Sequence, residues 1–255
     1  MEIHVRRASI LHGYLAITVL AITPVPAWST PAEVSKEEVY SGVATDPKTE
    51  RILYKERHRL TIANGLPTAS RTEYRGPSGN RWATLTTKFT HPKDLFSHRF
   101  EDVRSGESHG VDLNGRRVPI MFNRDTGSEP FKRKAHALKS SDPITVAGQG
   151  FHWLIRGLIL QGKLKPSERL TFRLLIPGRF DYFTFKIKAE REVGDKLYIA
   201  VDLDSFFLRV LAGASMKVVY SRQTGRLLEY LGPSNLVDDQ GDKIKRVKIT
   251  YRYAR

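Results

Sequence analysis

A mainly β fold is what this sequence predicts, built as one large curved antiparallel meander sheet or open half-barrel with two short helices. Three observations predict it. Long stretches alternate apolar and polar residues with period 2, short turn signals separate those stretches, and only two segments change to helical spacing.

Taken along the chain, the first element is a leader. Arg6 and Arg7 form a basic start, Ile10 to Ile22 is an almost unbroken apolar run, and 24-PVPAWS-29 closes it with small residues at Ala27 and Ser29. This layout predicts a signal peptide over residues 1–29 and a periplasmic or secreted product. The run falls short of the roughly 20 apolar residues that span a bilayer. No later segment approaches that length, so no transmembrane segment is expected in the mature chain. The remaining 30–255 reads as a single antiparallel β domain, and with no cysteine it depends on its hydrophobic core rather than on disulfides.

Strands follow. Alternation runs loosely through 51-RILYKERHRLTI-62 and 81-RWATLTTKF-89, then clearly through 168-ERLTFRLLI-176, 183-FTFKIKAE-190, 197-LYIAVDL-203, 216-MKVVY-220 and 244-IKRVKITYRYA-254. Between them lie 64-NG-65, 76-GPSGN-80, 114-NG-115, 194-GD-195, 224-TG-225 and 239-DQGD-242. Connections this short join antiparallel neighbours. The basic, turn-rich span at about 125–145 separates two strand-rich halves as a surface loop. Helical spacing appears in 148-GQGFHWLIRGLILQG-162, with Phe151, Leu154, Ile155, Leu158 and Ile159 on one face, and in 204-DSFFLRVLAG-213, where Asp204 or Ser205 is placed to cap.

Charge is the strongest compositional signal. The whole chain carries a net +15, and loss of Arg6, Arg7 and Glu2 with the leader leaves 40 basic against 26 acidic residues. Such an excess draws anionic surfaces. For an exported protein these are phospholipid head groups or anionic envelope polymers, and export argues against nucleic acid. In two strands a basic row opposes an apolar row, which makes Lys186, Lys188, Arg246 and Lys248 the candidate anionic-surface residues.

Candidate chemistry is sparse. The stretch 106-GESHG-110 matches G-x-S-x-G with Ser108 as nucleophile, but the helix such an elbow needs is replaced by 111-VDLNGRR-117. Asp202 and Asp204 share a strand face, yet Asp204 suits a helix cap and Asp202 the solvent side. His91 and His98 fall on opposite faces, and no metal-ligand spacing or nucleotide-binding glycine pattern appears. Glu56 and His58 share a face with Ile52, Tyr54, Leu60 and Ile62. They either pair in a pocket or lie on a strand that runs past the core, and the cost of burying charge favours the second reading. No catalytic, cofactor or metal site is assigned.

The repeated 49-TERIL-53 and 224-TGRLL-228 read as two hairpin turns, with Gly225 in the left-handed position and Glu50 in its place in the first copy. The stretch 39-VYSGVATDPKTERILYKERH-58, the aliphatic segment after Asp204 and the closing 217–251 resemble bacterial exported proteins of a domain-of-unknown-function family with an open antiparallel β half-barrel, loosely similar to periplasmic lipoprotein carriers. The resemblance implies an apolar concavity that holds acyl chains. The expectation is therefore non-enzymatic binding of an apolar or anionic envelope ligand such as lipid. The alternatives are a hydrolase using Ser108 or Asp202, and a structural or interaction protein of the envelope.

Overall fold

The computed structural model describes residues 35–64, 66–89, 97–114, 118–139, 142–204 and 215–254. They belong to one compact unit, Glu33–Arg255. The leader expected over 1–29, His91, and the second helix expected beyond Asp204 lie outside the described residues.

Eight strands form a first meander: β1 (Ser35–Thr45), β2 (Ile52–Ala63), β3 (Leu66–Arg75), β4 (Arg81–Lys88), β5 (Ser97–Asp102), β6 (Ser108–Asn114), β7 (Val118–Arg124) and β8 (Lys132–Ala135). The second part runs β9 (Thr145–Ala147), α1 (Gly150–Leu160), β10 (Arg169–Ile176), a 3-10 turn (Pro177–Arg179), β11 (Asp181–Val193), β12 (Lys196–Leu203), β13 (Met216–Ser221), β14 (Leu227–Gly232) and β15 (Val247–Tyr253). Pairing of β1 with β15 joins the two parts into one 15-stranded sheet with β8 and β9 at its ends. Strand β8 lies inside the basic 125–145 span and extends the sheet by pairing with β7.

All these pairings are antiparallel except β9 with β10, which is parallel. The reason is local. A parallel neighbour needs a long crossover, and the β9 to β10 connection contains α1. A sheet this wide curls. Its two ends meet side chain to side chain, where Val111 and Met121 of β6 and β7 share a buried cluster with Ala147 and Leu175 of β9 and β10.

The inner face carries the core. Helix α1 lays Ile155 and Ile159 on Phe172, Ile187, Ile199 and Val218 from β10 to β13. A second cluster gathers Tyr54, Tyr74, Leu85, Phe100, Val247 and Ile249 beneath β1 to β5 and β15. The expected apolar face of the helix is the packed one, with Phe151, Leu154 and Leu158 half-buried beside Ile155 and Ile159. Gly162, at φ +67°, ends the helix, with its N–H donating to the Ile159 carbonyl at 3.0 Å.

The repeated T-x-R-aliphatic-Leu is one turn used twice. In the first copy Asp46 N–H donates to Arg51 O and Glu50 N–H to Asp46 O, both at 2.9 Å. In the second, Ser221 N–H donates to Arg226 O at 2.8 Å and Gly225 N–H to Ser221 O at 2.9 Å. Glu50 has φ +59° and Gly225 φ +63°, so the turns share their type and Glu50 holds a left-handed backbone. Relief of that conformation is worth about 1–2 kcal/mol, and the extra freedom of glycine in the unfolded chain offsets about 0.5–1 kcal/mol of it. Glu50→Gly is accordingly expected to raise the urea midpoint slightly.

Gly106 and Gly110 of the would-be nucleophile elbow have structural reasons of their own. A side chain at Gly110 would press into the His98 carbonyl oxygen and sit 3.0 Å from the Arg99 Cα on the neighbouring β5. Gly106 has φ +74° and lies against Gly127. Backbone cannot yield as a side-chain tip does, so Gly110→Ala is expected to cost about 2–3 kcal/mol in chemical denaturation. An alanine variant as stable as wild type would show that β5 and β6 are less close than described.

Candidate ligand-binding cavity

Between α1 and the inner face of the curled sheet lies a cavity of about 530 Å³. Both parts of the sheet contribute to it: Tyr40 from β1, Tyr54, Glu56 and His58 from β2, Phe100 from β5, Leu174 from β10, Phe183 from β11 and Tyr251 from β15. The start of α1 adds Gln149, Phe151 and His152. Its volume falls in the range of small-molecule sites, and its lining is mostly aromatic and aliphatic with a few polar groups, as such sites are.

Period 2 explains the polar floor. Tyr54, Glu56, His58 and Leu60 alternate inward along β2 while Lys55, Arg57 and Arg59 point out. Strand β1 places Gly42 directly opposite Glu56 and Tyr251. A Cβ there would lie 3.0 Å from Glu56 Oε2 and 2.9 Å from Tyr251 Cε1, so the absence of a side chain gives both groups room to lie across β1.

Glu56 and His58 are buried and paired, Nε2 to Oε2 at 2.8 Å. This corrects the expectation that the strand runs past the core there. The cost of burial is met by a chain of hydrogen bonds. Gln149 Nε2 donates to Thr72 Oγ1 at 3.0 Å, and Thr72 Oγ1 lies 2.9 Å from His58 Nδ1. With Thr72 donating to Nδ1 and His58 Nε2–H donating to Glu56, every proton in this chain has an acceptor. Tyr40 stacks on the His58 ring at 4.3 Å and Tyr251 meets it edge-on at 5.7 Å. The ring is thereby fixed from several sides.

Two further histidines are buried at the cavity wall. Burial, with a smaller push from His109, lowers the His98 pKa to about 3, and its Nδ1 has no hydrogen-bond partner among the described residues. Burial, then the charge of Arg156, lowers His152 to about 3 as well, and its Nδ1 lies 2.9 Å from the Tyr220 hydroxyl. Both rings are neutral over the ordinary pH range. Among the described residues no cluster of histidines and carboxylates is arranged to hold a metal ion.

The triad-like order Thr72, His58, Glu56 invites a catalytic reading, but Thr72 does not line the cavity while its two partners do. Its hydroxyl is not presented to a substrate. Ser108 is buried in β6 on the face opposite His109, and among the described residues its Oγ has no partner to take a proton. Asp202 pairs in register with Lys186 on the outer face, where Asp204 forms an ion pair with Lys186. Neither Ser108 nor Asp202 borders the cavity, so the structure does not assemble the hydrolase sites that the sequence raised.

Lys186, Lys188, Arg246 and Lys248 are all exposed. They are not brought together. Lys186 and Lys188 lie on β11, Lys248 lies on β15, and β12, β13 and β14 stand between them. Arg246 borders a separate surface groove with Trp82, Asp238 and Lys245. Thr72, Gln149 and His152 escaped the sequence reading. Only His152, a polar residue beside Phe151 at the start of an apolar helix, carried a local signal.

No protein-family model matches the chain, and no curated protein matches it. Among solved structures it is similar to the crystal structure of a beta-barrel-like protein of domain of unknown function DUF1849 from Brucella abortus. Sequence identity is 8%, the match covers 86% of this chain and 95% of that one, and the TM-score is 0.47.

Proposed function

We propose that this chain is an exported, non-enzymatic binding protein that holds a small apolar molecule with a lipid-like chain inside its curled sheet. The observation that carries this reading is the cavity of about 530 Å³ with its aromatic and aliphatic walls. Apolar surface of that extent, left facing an internal space rather than packed on itself, gains free energy when an apolar chain replaces the water there. The layout of residues 1–29 supports action in the periplasm or outside the cell. The exposed lysines on β11 and β15 support contact with an anionic envelope surface.

Titration of the mature protein with a neutral fluorescent fatty-alcohol probe tests the reading. Saturable one-to-one binding is expected, weakened by Leu174→Trp, which fills part of the cavity. In the same preparation, cosedimentation with anionic vesicles is expected to fall as salt rises. A probe that never saturates, or that binds the filled variant equally well, would overturn the cavity as the binding site.

A further inference from the structure

The sign of charge inside the cavity is opposite to that of the chain. The whole sequence carries a net +15, yet the described lining includes the carboxylates Glu56 and Glu107 and neither Lys nor Arg. Glu107 has its own partner in His109, Nδ1 to Oε1 at 3.3 Å. Glu56 is paired, among the described residues, with the His58 ring and with no Lys or Arg. Arg156 and Arg226 converge instead on Glu38, at 3.6 and 3.8 Å.

Aromatic rings surround this carboxylate. Tyr54 and Tyr74 meet edge to face at 6.2 Å, Tyr40 and Tyr251 at 6.1 Å, and all four line the cavity with Glu56. Burial raises the pKa of each of these hydroxyls, and the negative charge of Glu56 raises it further. Aromatic faces and a carboxylate around one space favour a cation, above all one whose charge is spread over methyl groups. The start of α1 at the cavity is the opposing influence. It amounts to about half a charge and fades within the first turn.

We propose that the cavity selects a ligand with a cationic head, an amine or quaternary ammonium on an apolar chain, and holds that head at Glu56 beside Tyr54, Tyr74 and Tyr251. This rests on the binding reading above and narrows it, because it rejects fatty carboxylates and phosphates with no basic group. A site built for an anionic head places Arg or Lys at its polar end. Here those residues stand outside.

The test compares three probes that share one chain and differ in the head: decyltrimethylammonium, decanol and decanoate, each below its micelle concentration, by calorimetric titration of the mature protein. The cation is expected to bind about tenfold more tightly than the alcohol, and the carboxylate more weakly than either. Glu56→Gln keeps a hydrogen-bonding group, and in it the advantage of the cation over decanol is expected to vanish. Decanoate binding as tightly as the cation in wild type would overturn the cationic head and leave the cavity reading intact. Absence of binding by all three would overturn both. The wild-type ranking stands as a test even where the variant fails to fold.

Discussion

Acidification below about pH 6.5 is expected to destabilise this protein before its carboxylates protonate. His98 and His152 are buried, and their pKa values in the fold lie at about 3, below the value of 6.5 for a free ring. The unfolded chain therefore binds more protons than the fold between those limits. Stability from this source is complete above pH 6.5 and is lost progressively as pH falls toward 3. Each ring removes at most about 1.4 kcal/mol per pH unit, and together they remove on the order of 2 kcal/mol between pH 6 and pH 5. That is a large part of a typical folding free energy of about 5–15 kcal/mol. Urea midpoints measured from pH 7.5 to 4.5 check it. The steep fall should flatten in His98→Asn and in His152→Gln, whatever those changes do to stability at pH 7.5. A wild-type midpoint constant from pH 7 to 5 would show that the two rings are not sequestered.

His58→Leu is expected to be the most damaging single replacement at the cavity floor. It leaves Glu56 buried with no hydrogen-bond partner and Thr72 with no acceptor for its hydroxyl proton. Loss of one member of a buried pair costs about 3–5 kcal/mol, much of it the desolvation of the charge left behind. The cost of that orphaned charge is separable. Combining His58→Leu with Glu56→Met removes both partners, and the double variant is expected to be more stable than His58→Leu alone. If the two changes add instead, Glu56 is not paired through His58, and the hydrogen-bond chain from Gln149 is not what holds the floor together.

Alternation in the sequence carried most of the fold and little of the site. Period 2 identifies which residues share a face, and along β11 and β15 it sorted Phe185, Ile187, Val247 and Ile249 inward and Lys186, Lys188 and Lys248 outward, as the structure has them. It does not say what covers that face. Glu56 and His58 look like residues beyond a core until α1 and the far end of the sheet are laid over them. The stabilising partners are also remote: Thr72 is 14 residues from His58, and Gln149 is 77 residues from Thr72. No local pattern links those positions. Alternation also failed where loops cover the outer face. At β4, Trp82, Ala83, Thr84 and Leu85 are buried in succession, and Arg104 lies over the Trp82 ring at 4.4 Å.

The motif 106-GESHG-110 shows the reverse error. A pattern with catalytic meaning on one backbone arises here because two strands approach too closely for a side chain at Gly110 and a turn needs positive φ at Gly106. Its serine was a by-product of the match. The repeated turn at Glu50 and Gly225 is similar, since both copies serve the same hairpin geometry and neither Glu50 nor Gly225 borders the cavity.

The space between α1 and the sheet is proposed to receive an apolar chain. A crystal of the mature protein grown with 10-bromodecanol tests it most directly, because bromine is located by its anomalous signal without reference to any expected pose. A bromine peak is expected inside the cavity, against Leu174, Phe183 and Met216. Bromine found only at the outer groove beside Trp82 and Arg246, or a cavity closed by its own side chains, would contradict it.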